Sequence, residues 1–219
     1  FQVRLAGLDA KELRTTIPDF FDSEARLRQL DVAAAADANG RRDSVEAELA
    51  FVGERRATCS VMEEALRSGR MPARVVHGDT KLNNVLFDRA SGEPRCVVDL
   101  DTCMPGYSLY DFGDLVRFTA ATCDEDERDL DLARIDGDTF RALEAGYLEH
   151  AAAFLTPFER DHMAFSARLV TLTIGMRFLA DHLAGDRYFK ISRSGQNLDR
   201  ARVQFALVAD MERRLGGGA

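Results

Sequence analysis

A chain of 219 residues, 46% hydrophobic and 30% charged, can bury a sizeable core as one large domain or two small ones. Its net charge of -8 supplies no basic patch, which argues against a broad nucleic-acid-binding surface and leaves a nucleotide site open. No apolar run of membrane-spanning length and no secretory leader stand out, and Cys59, Cys96, Cys103 and Cys123 show neither C-x-x-C spacing nor a disulfide pattern, so a cytoplasmic protein without membrane or nucleic-acid partners is expected.

Taken in order, the pattern predicts helices over 22–37 and 43–68. The second opens with Asp43 three residues ahead of Glu46, a box-like start with Asp in the Ser/Thr role, and stops before Pro72. "ARVVH" (73–77) and "NVLFD" (84–88) read as short strands, "RASGEP" (89–94) as a turn, and "RCVVDLD" (95–101) as a third strand. A helix follows over 108–121. The stretch 122–138, "TCDEDERDLDLARIDGD", reads as a solvated acidic loop. Helical periodicity resumes near 139. Thr156 and Glu159 form a capping box with Pro157 at the first helical position, opening a helix from 157 to about 183. A last helix covers about 194–215, and Gly216–Ala219 is a frayed tail. The expected architecture is α+β and mainly helical, one domain carrying a β-hairpin.

The stretch "VVHGDTKLNNVLFD", 75–88, sets His77, Asp79, Lys81, Asn83 and Asn84 between two β-like runs. A surface turn would use the glycine and one asparagine and has no need of the rest. If "NVLFD" and "RCVVD" form a hairpin, a six-residue loop, 89–94, pairs Asp88 with Arg95 and places Asn84 opposite Asp99. Opposite residues in such a ladder lie about 4.5–5.5 Å apart at Cα. An amide oxygen and a carboxylate can then grip one hard cation, the oxygen chemistry Mg²⁺ prefers. Asp79, five residues upstream of Asn84, faces a substrate hydroxyl beside that metal. Phosphoryl transfer asks for this layout: an Asp orients the attacking hydroxyl while an Asn and a second Asp hold the metal on the nucleotide phosphates. Each part alone is a weak signal, but H-x-D-x-x-x-x-N with an apolar-apolar-Asp strand behind it is specific.

"HGDTKLNNVLFD" followed by "CVVDLDTCMPGYSLYDFGDLVRF" resembles the aminoglycoside phosphotransferase and choline kinase superfamily, which has a protein-kinase-like fold. "HGDTKLNN" together with "GMRFLADHLAGDRYFKI" (175–191) resembles its N-acetylhexosamine 1-kinase branch most. The resemblance implies an ATP-dependent, Mg²⁺-assisted small-molecule kinase acting on the anomeric hydroxyl of an N-acetylhexosamine or related sugar. It makes Asp79 the catalytic aspartate, which positions the sugar hydroxyl and takes its proton late. In the catalytic set His77 braces the loop and Lys81 meets a phosphate as a point charge. Asn84 and Asp99 become the Mg²⁺ ligands, Asp101 a helper to a second metal or the substrate if the strand persists, Arg177 a substrate-binding residue, and Asp114 a structural brace of the catalytic loop. Kinases of this fold carry a glycine-rich loop and a phosphate-pairing lysine on an N-terminal lobe. Only 76 residues precede His77 here, they read as helical, and they hold neither feature. The expectation is therefore that 1–219 is the C-terminal lobe, whose partners are the acceptor and an N-terminal nucleotide lobe absent from this chain.

Plainer readings compete at each position. Asp79 as a turn residue bonds its own backbone, Asp99 ends a strand in solvent, and Asp111 and Asp114 cap a helix start. Arg177 is a solvated charge on a long helix, with Met176, Phe178 and Leu179 in the core, and His150, His162 and His182 form no ligand spacing. Among functions, the rivals are the same chemistry on an aminoglycoside, choline or homoserine, a non-catalytic kinase-like binding module, and a metal-dependent hydrolase using "HGD" and "DLD". Keeping Asp79, Asn84 and Asp99 together counts against the binding module, and the scarcity of further His ligands counts against the hydrolase.

Overall fold

In the computed structural model, which describes residues 1–216, the strand signals become two small antiparallel sheets. Beyond Gly216 the expected frayed tail lies outside the described residues. Strand β1 (Arg74–Val76) buries Val75 and Val76, and β4 (Met104–Gly106) pairs with it. The sequence does not announce β4, because Pro105 and Gly106 are poor strand formers. Gly106 answers a packing need: a Cβ there would stand 2.6 Å from Val76 and 2.8 Å from the Phe21 ring.

Strands β2 (Val85–Phe87) and β3 (Pro94–Val97) form the predicted hairpin in a different register. Val85 faces Val97 and Leu86 faces Cys96, so neither Asp88 and Arg95 nor Asn84 and Asp99 stand opposite each other in the ladder, although the Arg95 and Asp88 side chains still form an ion pair at 3.2 Å. The turn is the cause. The Asp88 carboxylate accepts the N–H groups of Ala90 and Ser91 at 3.0 and 2.9 Å, Gly92 takes φ of 70°, and the Asp88 N–H closes onto the Glu93 carbonyl at 2.8 Å. The loop is thereby shorter than predicted, with a register irregularity between Leu86 and Phe87. Asn84 ends opposite Val98, whose N–H its carbonyl accepts at 2.9 Å.

The remainder is mainly helical: α1 (Gln2–Leu5), α2 (Ser23–Ala36), α3 (Glu46–Glu54), α4 (Val61–Arg67), α5 (Ser108–Thr119), α6 (Gly137–Ala151), α7 (Pro157–Asp161), α8 (Met163–Ala184) and α9 (Gln196–Arg214). Asp22 starts α2 by accepting the Ala25 N–H at 2.8 Å. The single helix predicted over 43–68 is instead α3 and α4 with 3₁₀ turns at Arg42–Val45 and Arg56–Ser60. Asp43 is no cap; Val45 holds that position without a side-chain bond. The Thr156–Glu159 capping box forms as predicted, with Pro157 inside it. However, α7 stops at His162, whose ring stacks on Phe158 at 3.8 Å and bonds its carbonyl, so α7 and α8 replace the one helix predicted over 157–183. Contrary to expectation, the 22 residues of α8 are long and apolar enough by composition to cross a membrane. Yet 78% of its most apolar window is buried inside the protein, the mark of a core helix.

Contacts group the described residues into two units of three stretches each. The first comprises Phe1–Phe21, Glu64–Ala120 and Gly137–Ala167. Its core includes Val76, Met104, Leu109, Tyr110, Phe112 and Val116, with the Phe21 ring edge-on to Tyr110 at 4.5 Å. The second comprises Asp22–Glu63, Ala121–Asp136 and the described residues from Arg168 on. Leu30, Val52, Leu172, Met176, Val203 and Leu207 are buried there. Most of the acidic stretch predicted as a solvated loop is tied into this unit. Ala121 bridges Ile135, the buried Asp210 carboxylate accepts the Ile135 N–H at 2.9 Å, and Asp126 takes Arg193 and Gln196.

Candidate active site

The loop 77–84 leaves β1 and enters β2 through the 3₁₀ turn Leu82–Asn84. Gly78 turns it with φ of 80°, and a Cβ at that position would meet the Thr102 carbonyl oxygen at 2.9 Å and the Phe21 ring at 3.0 Å. Glycine is thus required twice over, by conformation and by space. Gly78→Ala is expected to cost about 1–3 kcal/mol, measured as a fall in unfolding free energy. A change within about 0.5 kcal/mol, ordinary for a surface substitution, would show that the loop is free to move.

Asp111 and Asp114, one turn apart on α5, hold this loop from below. The Asp111 carboxylate, 4% exposed, accepts the N–H groups of His77 at 2.9 Å and Gly78 at 2.8 Å, and the Gln2 side-chain amide at 2.8 Å. Burial pushes its carboxyl above the usual carboxylate range, and these donors pull it back. Asp114 accepts the Thr80 N–H at 2.9 Å and pairs with Arg117 at 3.0 Å. The cap reading for Asp111 fails: the N-cap of α5 is Tyr107, and Asp111 reaches across to the loop.

His77 is buried and braces the same loop. The Asp79 N–H donates to its Nδ1 at 3.3 Å, so Nε2 carries the proton and donates to the Val98 carbonyl at 3.0 Å. Asp79 itself is partly open, its side chain 25% exposed. Its Oδ2 receives Lys81 Nζ at 2.6 Å and Asn84 Nδ2 at 3.0 Å. Lys81 is therefore paired with Asp79.

Asn84 spends both amide hydrogens on Asp79, one on the carboxylate and one on the backbone carbonyl at 2.8 Å. Its Oδ1 consequently faces away and remains an acceptor. Asp99 falls one residue past the position opposite Asn84, in the left-handed conformation with φ of 64° and ψ of 60°, and is exposed. The strand does not persist to Asp101: Leu100–Thr102 is a 3₁₀ turn, which removes the shared face proposed for Asp99 and Asp101. Among the described residues no group of three His, Cys, Asp or Glu side chains could hold a metal alone. An amide oxygen plus one carboxylate does fit the kind of site where Mg²⁺ takes few protein oxygens and fills its shell with phosphates and water.

A pocket of about 280 Å³ adjoins the loop, lined by Asp79, Lys81 and Asn84 and by apolar side chains such as Val3, Val85, Leu115 and Phe154. His150, which stands in no ligand spacing in the sequence, lines it too. Arg177 belongs to the second unit, where its guanidinium lies 5.8 and 5.4 Å from the ring centres of Tyr188 and Phe189. Sequence reasoning gave Thr80 no task although it lies inside the H-G-D-T-K-L-N-N motif, and it missed Gln2 and Tyr147 beside Asp111 altogether. No motif marks those two; only the resemblance, through Asp114, tied α5 to the loop.

The geometry thus offers a carboxylate held in place by a lysine and an asparagine, on a loop anchored through its backbone. A family model of phosphotransferase enzymes matches residues 2–153, which span every residue of that loop and both α5 aspartates. The chain belongs to the APH phosphotransferase enzyme family, kinase-like enzymes that transfer phosphate to small molecules.

Proposed function

We propose that this chain carries the catalytic residues for transfer of the ATP γ-phosphoryl group to the anomeric hydroxyl of an N-acetylhexosamine or related sugar. The observation that carries this reading is Asp79: its Oδ2 is held by Lys81 and Asn84, which leaves Oδ1 for an acceptor hydroxyl at the pocket. Asp79 orients that hydroxyl and takes its proton as the O–P bond forms. Lys81 keeps a positive charge where negative charge develops on the transferring phosphoryl group. Asn84 Oδ1 and Asp99 are the protein oxygens offered to Mg²⁺, which when bound neutralises phosphate charge. The apolar lining suits an acceptor with an acetamido methyl beside its hydroxyls, and the similarity of 175–191 to the N-acetylhexosamine 1-kinase branch points the same way.

In this reading a glycine-rich loop and its lysine would clamp the nucleotide from the other side, as in kinases of this fold. The site belongs to the cytoplasm, where ATP is supplied. The test is to incubate the full-length protein with ATP and Mg²⁺ against N-acetylhexosamines, aminoglycosides, choline and homoserine, reading products by phosphorus NMR. A sugar 1-phosphate is expected. Product from only a different acceptor would replace the sugar reading, and no product from any of them would remove the enzymatic one.

A further inference from the structure

Gln2 on α1 and Tyr147 on α6 line the same pocket as Asp79, and their hydrogen bonds lead to the catalytic loop. The Gln2 Nε2 donates to Asp111 Oδ2 at 2.8 Å and lies 3.2 Å from the Ser108 carbonyl. The same Asp111 oxygen accepts the His77 N–H, while Oδ1 accepts the Gly78 N–H. On its other side, Gln2 Oε1 accepts the Tyr147 hydroxyl. None of the three donors to Asp111 is a lysine or arginine, so this buried carboxylate depends on N–H groups alone.

The polarity of this chain is forced. A carboxylate only accepts, so the amide nitrogen of Gln2 must face Asp111 and its oxygen must face Tyr147. Burial pushes the Tyr147 phenol far above its ordinary value, so it stays protonated and donates. A flipped Gln2 amide would set oxygen against carboxylate. Tyr147 prevents the flip, Gln2 fixes the plane of the Asp111 carboxylate, and that plane sets two consecutive loop amides immediately before Asp79.

We propose that Gln2 and Tyr147 are positioning residues for phosphoryl transfer, acting through Asp111 on the His77–Gly78 backbone to aim the Asp79 carboxylate. This rests on the reading of Asp79 as the catalytic residue. The variants are Gln2→Leu, which removes both arms, Gln2→Glu, which keeps the acceptor for Tyr147 and loses the donor to Asp111, and Tyr147→Phe, which removes only the hydroxyl.

Two measurements decide. In the full-length protein, Gln2→Leu and Gln2→Glu should lower kcat by about ten- to hundred-fold, the scale of a small misplacement of reacting groups, with KM for ATP and acceptor nearly unchanged. Tyr147→Phe should lower kcat less. In amide NMR spectra of the 219-residue chain, the Gly78 N–H signal should move upfield in both Gln2 variants as its bond to Asp111 weakens. Should Gln2→Leu fail to fold, Gln2→Glu and Tyr147→Phe carry both measurements. Wild-type kcat with an unmoved Gly78 signal, whatever the loss in Tm, would overturn the proposal. If the wild-type protein transfers no phosphate, the functional reading falls and the Gly78 signal alone judges whether Gln2 positions the loop.

Discussion

Replacing Asp79 by Asn should cut turnover by about 10² to 10⁴, the range lost with a positioned general base, and leave the fold intact. The carboxamide is isosteric, and its oxygen can still accept Lys81 and Asn84, so the loop keeps its contacts. What disappears is the second acidic oxygen able to orient a hydroxyl and receive its proton. Because Asp79 is partly exposed, no buried charge is created or lost, and Tm should hardly move. The measurement pairs kcat on the best acceptor with a thermal melt of the same sample. Turnover within a few-fold of wild type would take the catalytic role away from Asp79. A collapse in Tm would reassign it to the scaffold.

The largest loss of stability is expected from Asp181→Ala. This residue, 7% exposed near the end of α8, accepts the backbone N–H groups of Arg187, Tyr188 and Phe189 at 2.9, 2.8 and 2.9 Å and the Asn197 amide at 2.9 Å. One carboxylate thereby folds the segment after α8 against the start of α9. Alanine strips three backbone N–H groups of their acceptor at once and takes one of two acceptors from the Asn197 amide, which keeps Asp186 at 3.0 Å. A stranded buried donor costs about 1–3 kcal/mol, and water can re-solvate the more exposed of these, which brings the expected total to about 2–4 kcal/mol, in the upper range for one substitution. Denaturant unfolding followed by circular dichroism tests it. A loss below about 0.5 kcal/mol, the level of an uninvolved surface site, would mean that the segment is held by other contacts.

The loop 77–84 was readable from the sequence because its chemistry is local: a dense set of polar side chains at fixed spacing needs no knowledge of distant residues. The Thr156 capping box was readable for the same reason, whereas Asp43, which has the same local pattern, caps nothing. The register of β2 and β3 was not, since Asp88 chose a tighter turn than residue counting supplied, and a one-residue slip changes every cross-strand partner. Strand β4 was invisible because pairing with β1, not the propensity of Pro105 and Gly106, makes it a strand. Asp111 carried a misleading local meaning: near a helix start an Asp usually caps, and only the tertiary approach of His77 and Gly78 gives it another task. Likewise nothing in the periodicity of 157–183 foretold that the His162 ring would turn back onto Phe158 and divide the helix.

The two units are interleaved along the chain, which passes from one to the other five times. During synthesis, therefore, neither can close early. The loop 77–84 emerges with its anchors Asp111 and Asp114 only a few dozen residues behind, yet the first unit still waits for the stretch Gly137–Ala167, and the second for α9. Closing such long sequence separations is slow, and half-made chains expose apolar surface meanwhile. No single cut yields either unit as one continuous piece. Dissecting the protein by truncation would break both together, and an insertion is safest where the chain already turns in solvent, as at 89–92.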